Sequence, residues 1–158
     1  MSDTRPPLTI VCLLASVVLY LICLAPGAIC VAGSCRGWSG FFIAAFGWLE
    51  VAGIGRASFV VVTAWFANPA IWFAWALLMG RAYAAATGAG LLALLLALGY
   101  KLGTHVLVSE SGGADAITGV GAGYWPWVAS AGLACAAGLF GWIQFSSVTA
   151  PLTQRRKD

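Results

Sequence analysis

Charge is what this sequence has least of: Asp, Glu, Lys and Arg together make up 8% of its 158 residues. A soluble domain is about 25% charged, because its surface must stay hydrated. So few charges cannot coat a water-facing globule of this length, and a lipid-facing surface is expected instead. Histidine is scarcer still, with His105 alone. A haem held by two histidines of one chain is therefore excluded, and a zinc site would have to join Cys30, Cys35 and His105 across two loops. No cofactor and no metal is expected. The net charge of +3 sits mainly near the chain ends, so it argues membrane orientation rather than nucleic-acid binding, which wants a basic stripe. Neither a Gly-x-Ser-x-Gly elbow nor a phosphate-loop spacing is present. His105 with Glu110 or Asp115 and Ser109 or Ser111 can be written as a triad, but nothing places these residues on rigid elements, and no catalytic residue is assigned.

Apolar residues, by contrast, make up 61% of the chain, and its mean hydropathy is +0.94. Their distribution predicts an all-α integral membrane protein, a single domain over residues 1–158 built as a four-transmembrane-helix bundle. The spans are expected at about 7–24, 58–79, 82–100 and 124–145, each near the length needed to cross a hydrocarbon core of about 30 Å. Pro6 and Pro7 suit the start of the first span, which is read as a retained helix rather than a cleaved leader. Pro26 and Gly27 end it. Lys101 closes the third span, where its stem can snorkel. Tyr124, Trp125, Trp127 and Trp142 place aromatic rings at the two ends of the fourth. Between the first two spans, residues 41–51 are apolar but too few to cross the core as a helix. They are expected to form an interfacial or re-entrant helix, with Glu50 and Arg56 at the water boundary. The loop from Gly103 to Gly123 is rich in glycine and is expected to be flexible or turn-rich.

The basic residues set the orientation. Four spans with an inside N-terminus place Arg5, Arg81, Arg155, Arg156 and Lys157 within, and Arg36, Arg56 and Lys101 on longer outer loops with Glu50, Glu110 and Asp115. The positive-inside rule favours this arrangement, hence the cell inner membrane with both termini cytoplasmic. Cys30 and Cys35 then face outward, where an oxidising compartment would permit a small disulfide loop. The remaining cysteines, Cys12, Cys23 and Cys135, lie in apolar runs and read as small hydrophobes.

No charged residue lies at the centre of a span, and the deepest polar groups are Asn68, Thr87 and Gln144. Pro69 lacks an N–H and crowds the preceding turn, so the second span should kink there. Asn68 is then placed to bond a freed carbonyl or a neighbouring helix, and if the kink only shapes the bundle its replacement by leucine is expected to be nearly neutral or stabilising. Trp65, Asn68, Trp72 and Trp75 follow a three-four-three spacing, which puts them on one helix face able to meet a partner helix or the rest of the bundle. Small residues recur every four positions at Ala89, Ala93 and Ala97, and again at Ser130, Ala134 and Gly138. Such ladders let helix backbones approach closely in lipid, so they predict a hairpin of the third and fourth spans or self-association.

The paired cysteines in a first outer loop resemble those of claudin-like tetraspan proteins only in layout. Here Gly37-Trp38 follows the cysteines instead of preceding them, and nothing is carried over from that family. The four-helix layout with cytoplasmic ends also resembles that of membrane immunity proteins, without a shared residue motif. The expected function is that of a small non-enzymatic membrane protein, an accessory subunit or immunity-type protein, acting by intramembrane or outer-loop contacts. Its partners would be the lipid bilayer and another membrane protein or a second copy. The alternative is an oligomeric channel or exporter component lined by the Asn68-Pro69 kink, Thr87 and Gln144.

Overall fold

The computed structural model describes residues 7–35, 38–49, 58–107 and 114–154. Glu50, Arg56, Ser109, Glu110, Ser111, Arg5, Arg36 and the basic tail at Arg155, Arg156 and Lys157 lie outside the described residues. The chain is mostly helical. Among the described residues, four helices are long and apolar enough to cross a membrane: Pro7–Leu24, Phe59–Met79, Tyr83–Leu102 and Tyr124–Ser147. The first is α1 (Pro7–Leu24). A short helix α2 (Gly40–Phe46) follows, started by Ser39, whose Oγ accepts a hydrogen bond from the Phe42 N–H at 3.2 Å. That side-chain cap satisfies one of the four orphan donors of a helix start.

The second apolar stretch is two helices, α3 (Phe59–Ala64) and α4 (Ala67–Met79), separated at Trp65-Phe66. The break falls one turn before Pro69, because the proline ring crowds the carbonyl four residues earlier, that of Trp65. Next come α5 (Tyr83–Gly99) with a 3-10 turn at Tyr100–Leu102, and α6 (Tyr124–Gln154). The last helix continues well past the predicted end at 145. Pro126 lies in its first turn, where a missing N–H costs nothing.

These helices form an antiparallel bundle in which α6 packs against both α1 and α5, and α4 against α5 and α6. Its core has three levels. Cys12, Leu78, Tyr83, Ala86 and Ala137 gather at the end that holds Arg81. Tyr20, Ala67, Ile71, Ala93, Ala97 and Ala131 fill the middle. Ile29, Val31, Val61, Tyr100, Val106 and Tyr124 close the opposite end.

That closing level corrects the all-α expectation. The connections at this end form a three-stranded antiparallel sheet of β1 (Ile29–Val31), β2 (His105–Leu107) and β3 (Ala114–Val120), with β3 in the centre. Ile29 pairs with Val120, and His105 with Ala116. The glycine-rich stretch expected to be turn-rich thus contributes two strands. Ile117, Thr118 and Val120 are β-branched residues suited to a pleated surface, and their glycine neighbours hide that pattern in the sequence. The sheet is stitched to the helix ends by backbone bonds: Gly121 N–H to the Ala28 carbonyl at 2.9 Å, Gly123 N–H to Gly27 at 3.0 Å and Ser58 N–H to His105 at 3.2 Å. A Cβ on Gly121 would run into the Gly27 carbonyl, so only glycine permits this approach.

Beyond β1 the chain reverses in a tight turn, with Val31 and Ser34 exchanging backbone hydrogen bonds at 3.0 Å. Ala32 and Gly33 both hold positive φ, 50° and 79°, as a type I′ hairpin turn requires. Cys30 and Cys35 flank this turn as a disulfide pair, with Cα atoms 4.0 Å apart.

Candidate functional site

Among the described residues, the buried polar ones are few: Thr9, Ser16, Asn68 and Ser130. Two hydrogen-bonded groups organise the last three, and both lie where α1, α4 and α6 meet. The larger centres on Asn68. Pro69 breaks the helix and removes the N–H that would otherwise reach the Trp65 carbonyl. Asn68 takes over that acceptor, donating from its backbone N–H at 3.0 Å and from Nδ2 at 3.1 Å. Its Oδ1 accepts two further bonds, from the Tyr20 hydroxyl at 3.0 Å and from Trp127 Nε1 at 3.0 Å. One amide therefore heals the proline break and ties α4 to both α1 and α6. Replacing it by leucine would orphan two donors, so that change is now expected to destabilise the bundle.

About one turn back along α1 from Tyr20, Ser16 makes the second group. Its Oγ donates to the Ser130 carbonyl at 2.8 Å and accepts from Trp75 Nε1 at 2.9 Å. The Ser130 hydroxyl lies 3.2 Å away. Tyr20 links the two groups by edge-on ring contacts with Trp75 at 5.4 Å and Trp72 at 6.2 Å. The sequence flagged Asn68, Trp72, Trp75 and Ser130, read Trp127 only as an interfacial ring, and missed Ser16 and Tyr20. Ser16 and Tyr20 stand four apart on one face of α1, together with buried Thr9, Cys12 and Cys23. That polar stripe in an apolar span was the available signal.

The expected aromatic face is only partly kept. Trp72 and Trp75 stay beside Asn68, while the break turns Trp65 to α2, where its Nε1 donates to the Ala44 carbonyl at 3.2 Å. The small-residue ladder of the third span also shifts. Ala93 and Ala97 are fully buried, but the position that touches α6 above them is Gly90, not Ala89, which is partly exposed. A Cβ at Gly90 would meet the Cys135 backbone N at 2.5 Å, and one at Gly138 the Thr87 N at 2.6 Å. On α6, Gly138 faces α5 as expected and Ala134 is buried at the same contact. Ser130 faces α1 instead, because α6 is flanked by helices on two sides.

Asn68, Thr87 and Gln144 are not brought to one surface. Asn68 meets α6 at Trp127, whereas Thr87 meets it at Gly138 and bonds its own Tyr83 carbonyl at 2.9 Å. Those points are three turns apart, about 16 Å along the axis. Gln144 is exposed on the outside of α6. Among the described residues, no three His, Cys, Asp or Glu side chains stand close enough to share a metal. His105 bonds its neighbour Thr104 at 3.0 Å. Comparison with protein-family models, with curated proteins and with solved structures finds no match for this chain.

Proposed function

We propose that this chain is a multi-pass protein of the cell inner membrane, with four crossing helices, both termini cytoplasmic and the disulfide-tied sheet outside. It works without catalysis, by contact with another membrane protein, as an accessory subunit or an immunity-type protector. The observation that carries the membrane reading is the apolar outer surface of the long helices, with polar side chains among the buried ones. Ser16, Asn68 and Ser130 are buried, while Val11, Leu14, Val18, Leu21, Phe73, Leu95 and Ile143 are each more than half exposed. Water would penalise so much contiguous apolar surface, and lipid accepts it. Supporting the orientation, Arg81 lies at the end remote from the sheet, with the start of α1, as the positive-inside rule asks.

Contact as the mode of action is supported by how the polar groups are used. The oxygens of Asn68 and Ser16 already hold partners within the bundle, which leaves the outer cap and the lipid-facing ridges as the surfaces on offer. The segment 41–49 belongs to this outer end. Phe41, Phe42, Phe46, Trp48 and Leu49 are all exposed, which suits an interfacial helix lying at headgroup depth beside the cap.

Photo-crosslinking in intact membranes, with the probe placed at Ala116 or Trp48, tests this function. A discrete adduct with a second membrane protein is expected, together with no ion flux from the purified chain in vesicles. Flux from the chain alone, carried by an oligomer of defined mass, would instead establish the channel alternative.

A further inference from the structure

A cavity of about 340 Å³ opens at the outer end of the bundle, between the 3-10 turn at Tyr100, Lys101 and Gly103 and the strand segment Ile117–Val120. Its size falls at the lower end of small-molecule sites. Lys101 supplies its charge. Lys101 lines this cavity, and its ammonium lies 4.3 Å from the ring centre of Trp125 and 5.9 Å from that of Tyr124, a cation–π arrangement that restrains the charge. Among the described residues, Lys101 has no carboxylate partner. Flanking it, Leu102 is 75% exposed and Trp125 54% exposed, so the charge sits at the rim of an apolar helix surface. We infer that this cleft is a binding site for the phosphate headgroup of an anionic phospholipid, whose acyl chains run down the exposed Leu98 and Leu95 ridge of α5. This rests on the membrane orientation proposed above and adds a ligand to it.

Three features select that chemistry. The aromatic pair is already occupied by the protein's own cation, so it is not a cage for a choline-type ammonium, and the ligand must carry the opposite sign. A cation at the end of an apolar span, next to an exposed tryptophan, stands at headgroup depth. Exposed leucines continue directly from the charged rim, which suits a molecule with a phosphate at one end and hydrocarbon at the other.

The full chain and its Lys101→Gln and Lys101→Arg variants can be placed in vesicles of phosphatidylcholine alone or mixed equally with phosphatidylglycerol. Flotation of all three proteins with both vesicle types checks the membrane reading separately, and failure to float would overturn both inferences. Phosphatidylglycerol is expected to raise the Tm of the parent chain by about 2–4 °C, to do the same for Lys101→Arg, and to leave Lys101→Gln unchanged. Equal rises in the parent and Lys101→Gln, or no rise in the parent, would overturn the site. Soluble glycerol phosphate stabilising the parent as much as the lipid does would overturn the lipid as its source.

Discussion

At Asn68 a single oxygen accepts from both Tyr20 and Trp127, and the amide nitrogen answers the carbonyl left over by Pro69. Hydrogen bonds between helices in lipid average about 0.6 kcal/mol, but a donor orphaned in an apolar interior costs about 1–3 kcal/mol. Asn68→Leu should therefore lower stability in detergent by about 1–3 kcal/mol. Tyr20→Phe removes one donor and leaves Asn68 Oδ1 bonded to Trp127, so its loss should be about 0.6 kcal/mol. Denaturation of the two variants by the same titration checks the ranking, and an Asn68→Leu protein as stable as the parent would contradict the network. The identity of Asn68 as a polar residue beside a proline was legible in the sequence. Its partners were not, because hydrogen bonds between residues 48 and 59 positions apart depend on helix rotations that no local pattern specifies.

On the membrane reading, helices α5 and α6 are held by shape more than by hydrophobic drive, since lipid would compete equally for apolar surface. Leucine at Gly138 has to displace the Thr87 backbone, and overpacking of this kind costs about 1–3 kcal/mol. Leu95 is 59% exposed, so Leu95→Ile should change thermal stability little. If Gly138→Leu unfolds at the parent temperature, α5 and α6 do not meet at this face. The existence of this contact was legible from small residues at helical spacing. The shift from Ala89 to Gly90 was not, because Ala and Gly are so common here that two registers fit the same pattern. The cap presents the opposite case. Strand β3 was hidden by glycines, and a three-residue strand such as β1 carries no usable periodicity. Its disulfide is directly measurable: alkylation followed by mass analysis should find two thiols, Cys30 and Cys35, that react only after reduction. Recovery of both as free thiols from an oxidising envelope would contradict the pairing.

The whole molecule is organised by one departure from the rule for proteins in water: large apolar side chains cover the outside of the long helices as well as filling the core. Between 28% and 39% of each apolar helix window is buried, so most residues of every long helix are at least partly exposed, which is what the proposed membrane location asks for. The four helices long and apolar enough to cross a membrane were legible because length and hydropathy alone identify them. Polarity along the chain also placed Arg81 at the end away from the cap. The direct test is accessibility on intact cells, using a membrane-impermeant maleimide against Arg81→Cys and Ala116→Cys variants, with the parent chain as the background. The account predicts labelling of Ala116→Cys from outside and of Arg81→Cys only after the membrane is permeabilised. Labelling of both from outside in sealed cells, or of Arg81→Cys alone, would contradict a four-span protein with its sheet on the outer face.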